Sequence, residues 1–195
     1  KVDGITTRSQ GFQNQYQFVN AIGSYEIKGI DVLLNKQFND ILSTWISYSY
    51  SKNNYTFDAL NDGNPFPNNT DIRHALTFAG TYTYRDLKIA LGLNWHSGIP
   101  NTEPDVNDDP EDDVITYASP NSSNLDDYLR TDCSATYAFD ISDGVKATLG
   151  ASVWNLLNKK NIINTYYSLD NENKAIPIEN QSLGITPNVS FRVRF

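Results

Sequence analysis

The sequence ends in NVSFRVRF, residues 188–195, and this stretch decides the fold class. Val189, Phe191, Val193 and Phe195 alternate with polar residues, so a β-strand here has one apolar and one polar face. Because the alternation continues to the last residue, we expect a terminal strand that pairs with a neighbour. Its apolar face must then lie against an apolar environment.

The same two-residue period recurs along the chain and predicts an all-β protein. The clearest case is LKIALGLNWH, residues 87–96, in which the odd-numbered positions are Leu, Ile, Leu, Leu and Trp. Together with the terminal strand, the pattern predicts about seven strands. They lie near residues 29–38, 42–50, 76–84, 87–96, 129–139, 145–153 and 188–195.

The predicted connections alternate between short and long. Short turns fall near residues 39, 85 and 143, whereas long polar loops fall at roughly 54–72, 97–127 and 157–184. Loops of more than about 12–15 residues are uncommon in compact domains. In an antiparallel sheet this alternation brings all long loops to one end, as in outer-membrane barrels with short periplasmic turns and long extracellular loops.

The aromatic residues fall at consistent heights if the last strand runs toward the periplasm. Amphipathic rings favour the membrane interfaces, so this arrangement predicts two aromatic girdles. The periplasmic girdle contains Tyr84, Tyr137, Phe139 and Phe195, and the extracellular girdle contains Tyr48, Tyr50 and Trp95.

Composition limits the other classes of function. The 195 residues are 39% hydrophobic, which is enough for an ordered structure, and no apolar run is long enough for a membrane helix. The net charge of -8 disfavours a nucleic-acid partner, because phosphate binding needs a basic surface. The chain begins at Lys1 without a methionine or a leader, so we expect a processed product or a fragment.

Five stretches together resemble a known family. They are NAIGSYEIKGIDVLL (20–34), DIRHALTFAGTYTY (71–84), WHSGIPNT (95–102), NLLNKKN (155–161) and the terminal strand. Their order and spacing resemble the C-terminal third of the barrel of a TonB-dependent outer-membrane receptor, of the type common in Bacteroidota.

The resemblance implies a 22-stranded barrel around an N-terminal plug, which imports a siderophore, glycan, peptide or vitamin with energy from TonB. Residues 1–195 would be the C-terminal portion of that barrel, with 1–23 a loop and lead-in, 24–195 strands and loops, and the plug absent. Implied partners are the remaining barrel, the plug, TonB through the missing N-terminal part, and outer-membrane lipid and lipopolysaccharide. In this family the assembly machinery reads the last strand, here Phe191, Val193 and Phe195.

The most acidic stretch is EPDVNDDPEDD, residues 103–113. Its alternate residues carry the hard oxygen donors that calcium prefers, and a divalent ion would relieve their mutual repulsion. These candidate ligands are Asp105, Asn107, Asp109, Glu111 and Asp113. A solvated loop without metal is the alternative. A second oxygen-rich group, Asp58, Asn61, Asp62 and Asn64, is interpreted first as a turn at Gly63.

The sequence predicts no enzyme and no required cofactor. Only two histidines are present, His74 and His96, and no nucleophile motif accompanies them. Cys133 falls on the apolar face of its predicted strand, where a thiol acts as a small apolar group.

Two further sets of side chains are candidates for contacts in the lumen and the loops. Charged residues of the polar face would line the lumen or contact a plug: Lys88, Arg130, Asp132, Lys146, Arg192 and Arg194. Aromatic residues of the long loops could stack on a ligand: Tyr55, Phe57, Phe66, Tyr117, Tyr166 and Tyr167.

Two alternatives remain open from sequence. Amphipathic strands also build soluble or surface β-sandwiches, for instance a carbohydrate-binding module with calcium in the acidic loop. A small barrel that works as an adhesin or an outer-membrane hydrolase is the other.

Overall fold

The computed structural model describes residues 2–3, 7–10, 16–19, 22–105 and 114–195. Its strands are β1 Val2–Asp3, β2 Thr7–Gln10, β3 Tyr16–Val19, β4 Gly23–Gln37, β5 Leu42–Phe57, β6 Phe66–Pro67, β7 His74–Tyr84, β8 Leu87–His96, β9 Pro100–Asn101, β10 Ser123–Asn124, β11 Tyr128–Ser142, β12 Val145–Trp154, β13 Ile162–Leu169, β14 Ala175–Gln181 and β15 Thr186–Arg194. A 3-10 turn covers Asn61–Gly63. Within these ranges, no helix has both the length and the apolar character needed to cross a membrane.

Seven long strands form one antiparallel sheet in the order β4-β5-β7-β8-β11-β12-β15. The short strand β1 pairs with β4 and β6 pairs with β5. This order follows the sequence, because each long strand pairs with the long strand before it. The predicted all-β class and the number of about seven long strands are confirmed.

Register aligns the apolar positions across the whole sheet. Tyr48 lies opposite Leu76, Leu76 opposite Trp95, and Trp95 opposite Leu129. Since paired residues point to the same side, these positions define an apolar face, and the alternate positions define a polar face. Across the middle of the sheet the apolar face contains Val32, Ile46, Phe78, Leu91, Cys133, Leu149, Ala151 and Phe191.

The apolar face is not covered by other described residues. Leu91 is 43% exposed, Phe191 61% and Val189 73%. The only buried hydrophobic side chains among the described residues are Phe57, Phe66 and Ala147. A sheet of this size with so small a core needs an apolar environment outside the chain to bury its face.

The short turns all lie at one end of the sheet, which we call the short-turn end. They follow β4 at Asn39–Asp40, β7 at Arg85–Asp86 and β11 at Asp143–Gly144, as the sequence predicts. Arg85 and Gly144 adopt positive φ angles of 53° and 81°, which these tight reversals require. The opposite end, which carries the three long connections, is the long-loop end.

Several regions that the sequence predicts as loops contain strands. Residues 1–23, expected to be a loop and lead-in, contain β1, β2 and β3, and the first two long connections contain the two-residue strands β6, β9 and β10. Strand β5 continues to Phe57, so the first long connection begins at residue 58 instead of 54. The last long connection contains a separate antiparallel hairpin, β13–β14, whose strands pair Tyr167 with Pro177. A proline is tolerated there because no further described strand pairs with the hairpin, so Pro177 need not donate to one.

Candidate functional site

The three long connections meet at the long-loop end and form what we call the loop layer, residues 58–73, 97–105, 114–127 and 155–185. Asn121 joins two of them. Its Nδ2 donates to Pro67 O at 2.7 Å and to Asn69 Oδ1 at 2.6 Å, and its backbone N–H donates to Thr102 Oγ1 at 2.9 Å. The residue has φ of 53°, a left-handed conformation that asparagine tolerates better than most residues.

Tyr167 of the β13–β14 hairpin joins the third connection to the second. Its hydroxyl accepts a hydrogen bond from Asn101 Nδ2 at 3.0 Å. Its ring meets Tyr117 edge-on, with the ring centroids 6.3 Å apart. The three connections are therefore linked side by side through side-chain contacts, and they form one layer above the sheet.

Asp71 anchors the first connection to the top of β5. Its buried carboxylate accepts the backbone N–H of Asn53 at 2.8 Å and Arg73 Nη2 at 2.6 Å. The hydrogen bond that Arg73 donates to Asp71 raises the pKa of Arg73 above its ordinary value. Asn53 Oδ1 and Arg73 Nε are buried nearby and have no hydrogen-bond partner in the part of the chain that the structure describes.

The NLLNKKN stretch anchors the last connection through two buried asparagines, each 2% exposed. Asn155 Nδ2 donates to Lys159 O at 2.8 Å and to Leu183 O at 2.9 Å. Asn161 pairs with the backbone of Leu129: its Oδ1 accepts the N–H at 2.8 Å and its Nδ2 donates to the carbonyl at 3.0 Å. These bonds satisfy backbone groups where the strands end.

On the polar face, just below the loop layer, aromatic and charged side chains lie on three adjacent strands. His96 stacks on Tyr128 with centroids 4.8 Å apart, and the Arg130 guanidinium lies 5.1 Å from the Trp154 ring centroid. Arg130 also pairs with Asp132 at 3.0 Å. A cleft of about 140 Å³ opens beside Tyr128, Arg130 and Trp154. Trp154 is 56% exposed, so its ring can contact a bound molecule.

The predicted calcium ligands fall mostly outside the described residues. Four of the five lie outside the described residues: Asn107, Asp109, Glu111 and Asp113. The fifth, Asp105, is described, and its backbone N–H donates to Thr116 O at 2.8 Å. Within the described part of the chain, no three histidine, cysteine or acidic side chains are grouped for a metal. Calcium binding by the acidic loop stays a prediction.

The second oxygen-rich group forms the expected turn. Asn61 and Asp62 both have φ of 53°, and Asn61 Nδ2 donates to Asn64 O at 3.2 Å. The Asn61 side chain therefore donates a hydrogen bond within the turn that contains it. This bond agrees with the interpretation of the stretch as a turn at Gly63.

Two of the six candidate ligand-stacking aromatics are excluded by burial. Phe57 is 2% exposed and Phe66 is 7% exposed, and they pack together with Tyr55 and Leu60. The ligand-stacking prediction is wrong for Phe57 and Phe66, because rings enclosed in a cluster offer no face to a ligand. Tyr117 and Tyr166 are 48% and 51% exposed.

The predicted girdle residues lie at the expected ends of the sheet. Tyr48 and Trp95 are at the same height near the long-loop end, both opposite Leu76, and Tyr50 lies opposite His74. Near the short-turn end, Tyr84 and Tyr137 both lie opposite Leu87, and Phe139 follows two residues beyond Tyr137. Their contact with membrane interfaces stays a prediction.

The terminal residues have the alternating placement that the sequence indicates. Phe191 pairs with Leu149 and Val193 with Ala147 on the apolar face of β15. Phe195 follows the strand and is 99% exposed. A role for Phe191, Val193 and Phe195 as an assembly signal stays a prediction.

The histidines and the cysteine occupy ordinary structural positions. His74 Nδ1 lies 2.8 Å from the Tyr48 hydroxyl at the top of the apolar face, and His96 Nδ1 lies 2.8 Å from Ser97 O. Cys133 pairs with Leu91 and Val153 on the apolar face. Among the described residues, none of the three is placed beside both a serine hydroxyl and a carboxylate in the way a hydrolytic triad requires.

Sequence reasoning missed the residues that build the loop layer. Asp71, Asn121, Asn155 and Asn161 act through contacts with backbone groups that are mostly distant in the chain. Asparagine in a polar loop is common, and nothing in its local sequence distinguishes a buried anchor from a solvated side chain. The dense asparagine content of NLLNKKN was the available signal.

Comparisons with known proteins agree with this architecture. A family model described as TonB dependent receptor-like, beta-barrel, matches residues 2–156. No curated protein matches the chain. Among solved structures, the siderophore receptor PiuA from Acinetobacter baumannii is 18% identical, with 96% of this chain and 24% of that chain covered and a TM-score of 0.53.

Pseudomonas aeruginosa receptors give similar results. FpvA bound to a heterologous pyoverdine is 14% identical, with 97% of this chain and 23% of that chain covered and a TM-score of 0.57. The ferripyoverdine receptor of the outer membrane, bound to ferripyoverdine, is also 14% identical, with 98% of this chain and 23% of that chain covered and a TM-score of 0.52. The chain therefore spans about a quarter of the length of these receptors, and the likeness shows a shared fold.

Proposed function

The chain belongs to the family of TonB dependent receptor-like β-barrels, and from this premise we propose that it is the C-terminal part of a receptor that binds and imports a nutrient. The family places it in the bacterial outer membrane. The proposal further takes the parent receptor to be of the Bacteroidota type, with residues 1–195 as the C-terminal portion of its barrel.

One observation carries the proposal: the seven long strands, paired in chain order, present an exposed apolar face and a polar face. In a membrane barrel the apolar face contacts lipid and the polar face lines the lumen. The long-loop end is then extracellular and the short-turn end periplasmic. The outermost strands of the sheet need further strands as hydrogen-bonding partners before a barrel can close, and the remainder of the barrel supplies them.

The proposed partners follow from this position. The remainder of the barrel pairs with the sheet edges, a plug fills the lumen, and TonB acts through the N-terminal part of the receptor. Lipid and lipopolysaccharide contact the apolar face, and the barrel assembly machinery recognises β15. The import mechanism is ligand binding and gated passage, without covalent chemistry.

The loop layer and the Trp154 cleft are the proposed ligand-contact region. Exposed Tyr117, Tyr166 and Trp154 offer ring faces, and Arg130 adds a charge beside the cleft. The ligand is a siderophore, glycan, peptide or vitamin. Siderophores come first in a ligand screen because the similar solved receptors bind pyoverdine or are described as siderophore receptors.

The soluble β-sandwich alternative is not favoured. A sandwich buries the inner faces of two packed sheets, whereas the apolar face here is exposed along the single large sheet. An apolar face of this extent would cause aggregation in water.

Uptake by intact cells tests the proposal. We expect cells with the full receptor to accumulate one labelled nutrient from a panel of ferric siderophores, oligosaccharides, peptides and cobalamin. Deleting the gene for the receptor or the gene for TonB should abolish that accumulation equally. Unchanged uptake of every panel member after deletion of the receptor would contradict the proposal.

A further inference from the structure

The Trp154 cleft lies on the polar face, just below the loop layer, and an exposed indole ring forms part of its surface. Trp154 is the last residue of β12 and is 56% exposed, and Tyr128 and Arg130 of β11 line the cleft beside it. Strand β12 pairs with β11 on one side and with β15 on the other. The further strands that complete a barrel are therefore not added next to Trp154.

The Arg130 side chain is held in place by its neighbours. Its Nε donates to Asp132 Oδ2 at 3.0 Å, and its guanidinium lies 5.1 Å from the centre of the Trp154 ring. The other oxygen of Asp132 accepts the backbone N–H of Asn155 at 2.9 Å, and Asn155 is itself buried. Among the described residues, neither Nη of Arg130 has a hydrogen-bond acceptor. Both Nη groups can therefore donate to a molecule in the cleft.

The pairing of Arg130 with Asp132 also determines the charge of the cleft. The guanidinium and the carboxylate together have no net charge, so an anion gains less here than beside an unpaired arginine. The other described residues that line the cleft are uncharged, and two of them, Ser182 and Thr186, carry hydroxyl groups. This lining suits an uncharged polar molecule.

The long connections around the cleft are strongly acidic. In the sequence, residues 58–73, 97–127 and 155–185 contain 15 acidic and 4 basic residues, a net charge of -11, whereas the whole chain has a net charge of -8. Like charges repel an approaching anion. A cationic ligand would meet the Arg130 guanidinium in the cleft. The two regions together therefore favour a ligand without net charge.

The size of the cleft limits what it can enclose. Its volume is about 140 Å³, whereas pockets for drug-sized ligands are roughly 300–1,000 Å³. The cleft therefore takes one ring of a longer molecule, and the rest of that molecule lies along the loop layer. An exposed indole face provides apolar contact for such a ring, and hydroxyl groups on the ring accept hydrogen bonds from a guanidinium.

We propose that the Trp154 cleft binds one sugar ring of a neutral oligosaccharide. Trp154 packs against the C–H groups on one face of the sugar, and the Nη groups of Arg130 donate to its hydroxyl oxygens. Asp132 is a positioning residue that holds Arg130. This inference rests on the proposed function and selects the glycan from the ligand classes given there. It places a neutral glycan ahead of the siderophores that the similar solved receptors suggest.

Isothermal titration calorimetry with the full receptor in detergent tests the inference. The probes are neutral hexasaccharides of glucose, mannose, xylose and galactose, an acidic hexasaccharide of galacturonic acid, and the ferric siderophores, peptides and cobalamin of the uptake panel. We expect the receptor to bind at least one neutral hexasaccharide, and to bind the acidic hexasaccharide more weakly than that neutral one.

Substitutions in the cleft should weaken the binding of the neutral hexasaccharide. Trp154→Ala should weaken it about tenfold, and Trp154→Phe, which keeps an aromatic ring, should weaken it less. Arg130→Lys keeps the charge but loses both Nη donors, so it should also weaken binding. Trp45 is the matched control, because it is an exposed tryptophan on the polar face near the short-turn end, paired with Ala79. Trp45→Ala should leave the affinity unchanged.

Three results would overturn the inference. They are binding of siderophores, peptides or cobalamin only, tighter binding of the acidic hexasaccharide than of every neutral one, and equal effects of Trp154→Ala and Trp45→Ala. In each case the receptor still binds a nutrient, so the proposed function stands. If the receptor binds no probe and cells import none, the proposed function fails together with the inference.

Discussion

In the sheet of seven long strands, which we call the strand wall, apolar side chains such as Leu91 and Phe191 are exposed. In the loop layer, polar side chains such as Asp71, Asn155 and Asn161 are buried. The usual distribution in a water-soluble protein is the reverse. In the proposed receptor the wall obtains its apolar burial from lipid, and the loop layer, which would lie in water, is held by side-chain hydrogen bonds to backbone groups. The two regions should therefore respond differently to the same kind of substitution.

The largest contrast is expected from a charge placed on each face of β8. Leu91→Arg puts a guanidinium on the lipid side near the middle of the strand, and should lower the free energy of unfolding by about 2–4 kcal/mol. Ala90→Arg places the same charge on the lumen side and should cost far less. Denaturant unfolding of the receptor in lipid vesicles measures both, and equal losses would break the distinction between the faces.

Removal of a buried polar anchor should have the next largest effect. Asn155→Ala leaves Lys159 O and Leu183 O without their side-chain donor, and unsatisfied buried groups cost about 1–3 kcal/mol. The same unfolding measurement applies, with Asn164→Ala as the control because Asn164 is exposed. A loss no greater than that of the control would show that the asparagines do not hold the layer.

The Asp71 pair is partly solvated, so its effect should be smaller. The Arg73 side chain is 35% exposed, which screens the interaction, and we expect Asp71→Ala to cost about 1–2 kcal/mol. Asp71→Asn keeps an acceptor for the Asn53 N–H and should lose less. Increased protease cleavage within residues 58–70 would report the loosened connection, and unchanged cleavage in the alanine variant would count against the anchor.

The smallest effect concerns pH and the β13–β14 turn. The exposed carboxylate of Asp170 accepts the backbone N–H groups of Lys174 and Glu172, and the bond from Lys174 is the main cause that lowers its pKa below 3.8. Because the folded pKa is depressed, the turn is stabilised above the unfolded pKa, and this contribution is lost as pH falls through the folded value. A carboxyl NMR titration of Asp170 should have its midpoint below 3.8, and a midpoint at or above it would contradict the hydrogen bonds.

The strand wall could be predicted from sequence because the face on which a residue lies depends only on its position along its own strand. In LKIALGLNWH each residue's face follows from its parity, and the intervals between turns fix the strand order. The loop layer could not be predicted in the same way. The bonds from Asn121 to Pro67 and Asn69 join residues more than fifty positions apart, and only the folded chain brings them together.

The end of β5 and the β13–β14 hairpin are predicted wrongly although the sequence of each contains a strand pattern. Tyr55 and Phe57 continue the alternation of β5 beyond residue 54, so the strand could have been extended and the burial of Phe57 anticipated. The β13–β14 hairpin was hidden by its asparagines and by Pro177, which are unfavourable in a central strand but acceptable in an isolated pair.

Site-directed spin labelling of β8 tests the central claim most directly. Single cysteines at residues 87–96, in the full receptor with Cys133→Ala and in lipid, would carry a nitroxide, and collision with oxygen or with a water-soluble nickel chelate would be measured. We predict a two-residue period in which labels at the odd-numbered positions 89, 91 and 93 collide most with oxygen. No alternation, or the greatest oxygen collision at residues 90, 92 and 94, would contradict the assignment of the apolar face to lipid.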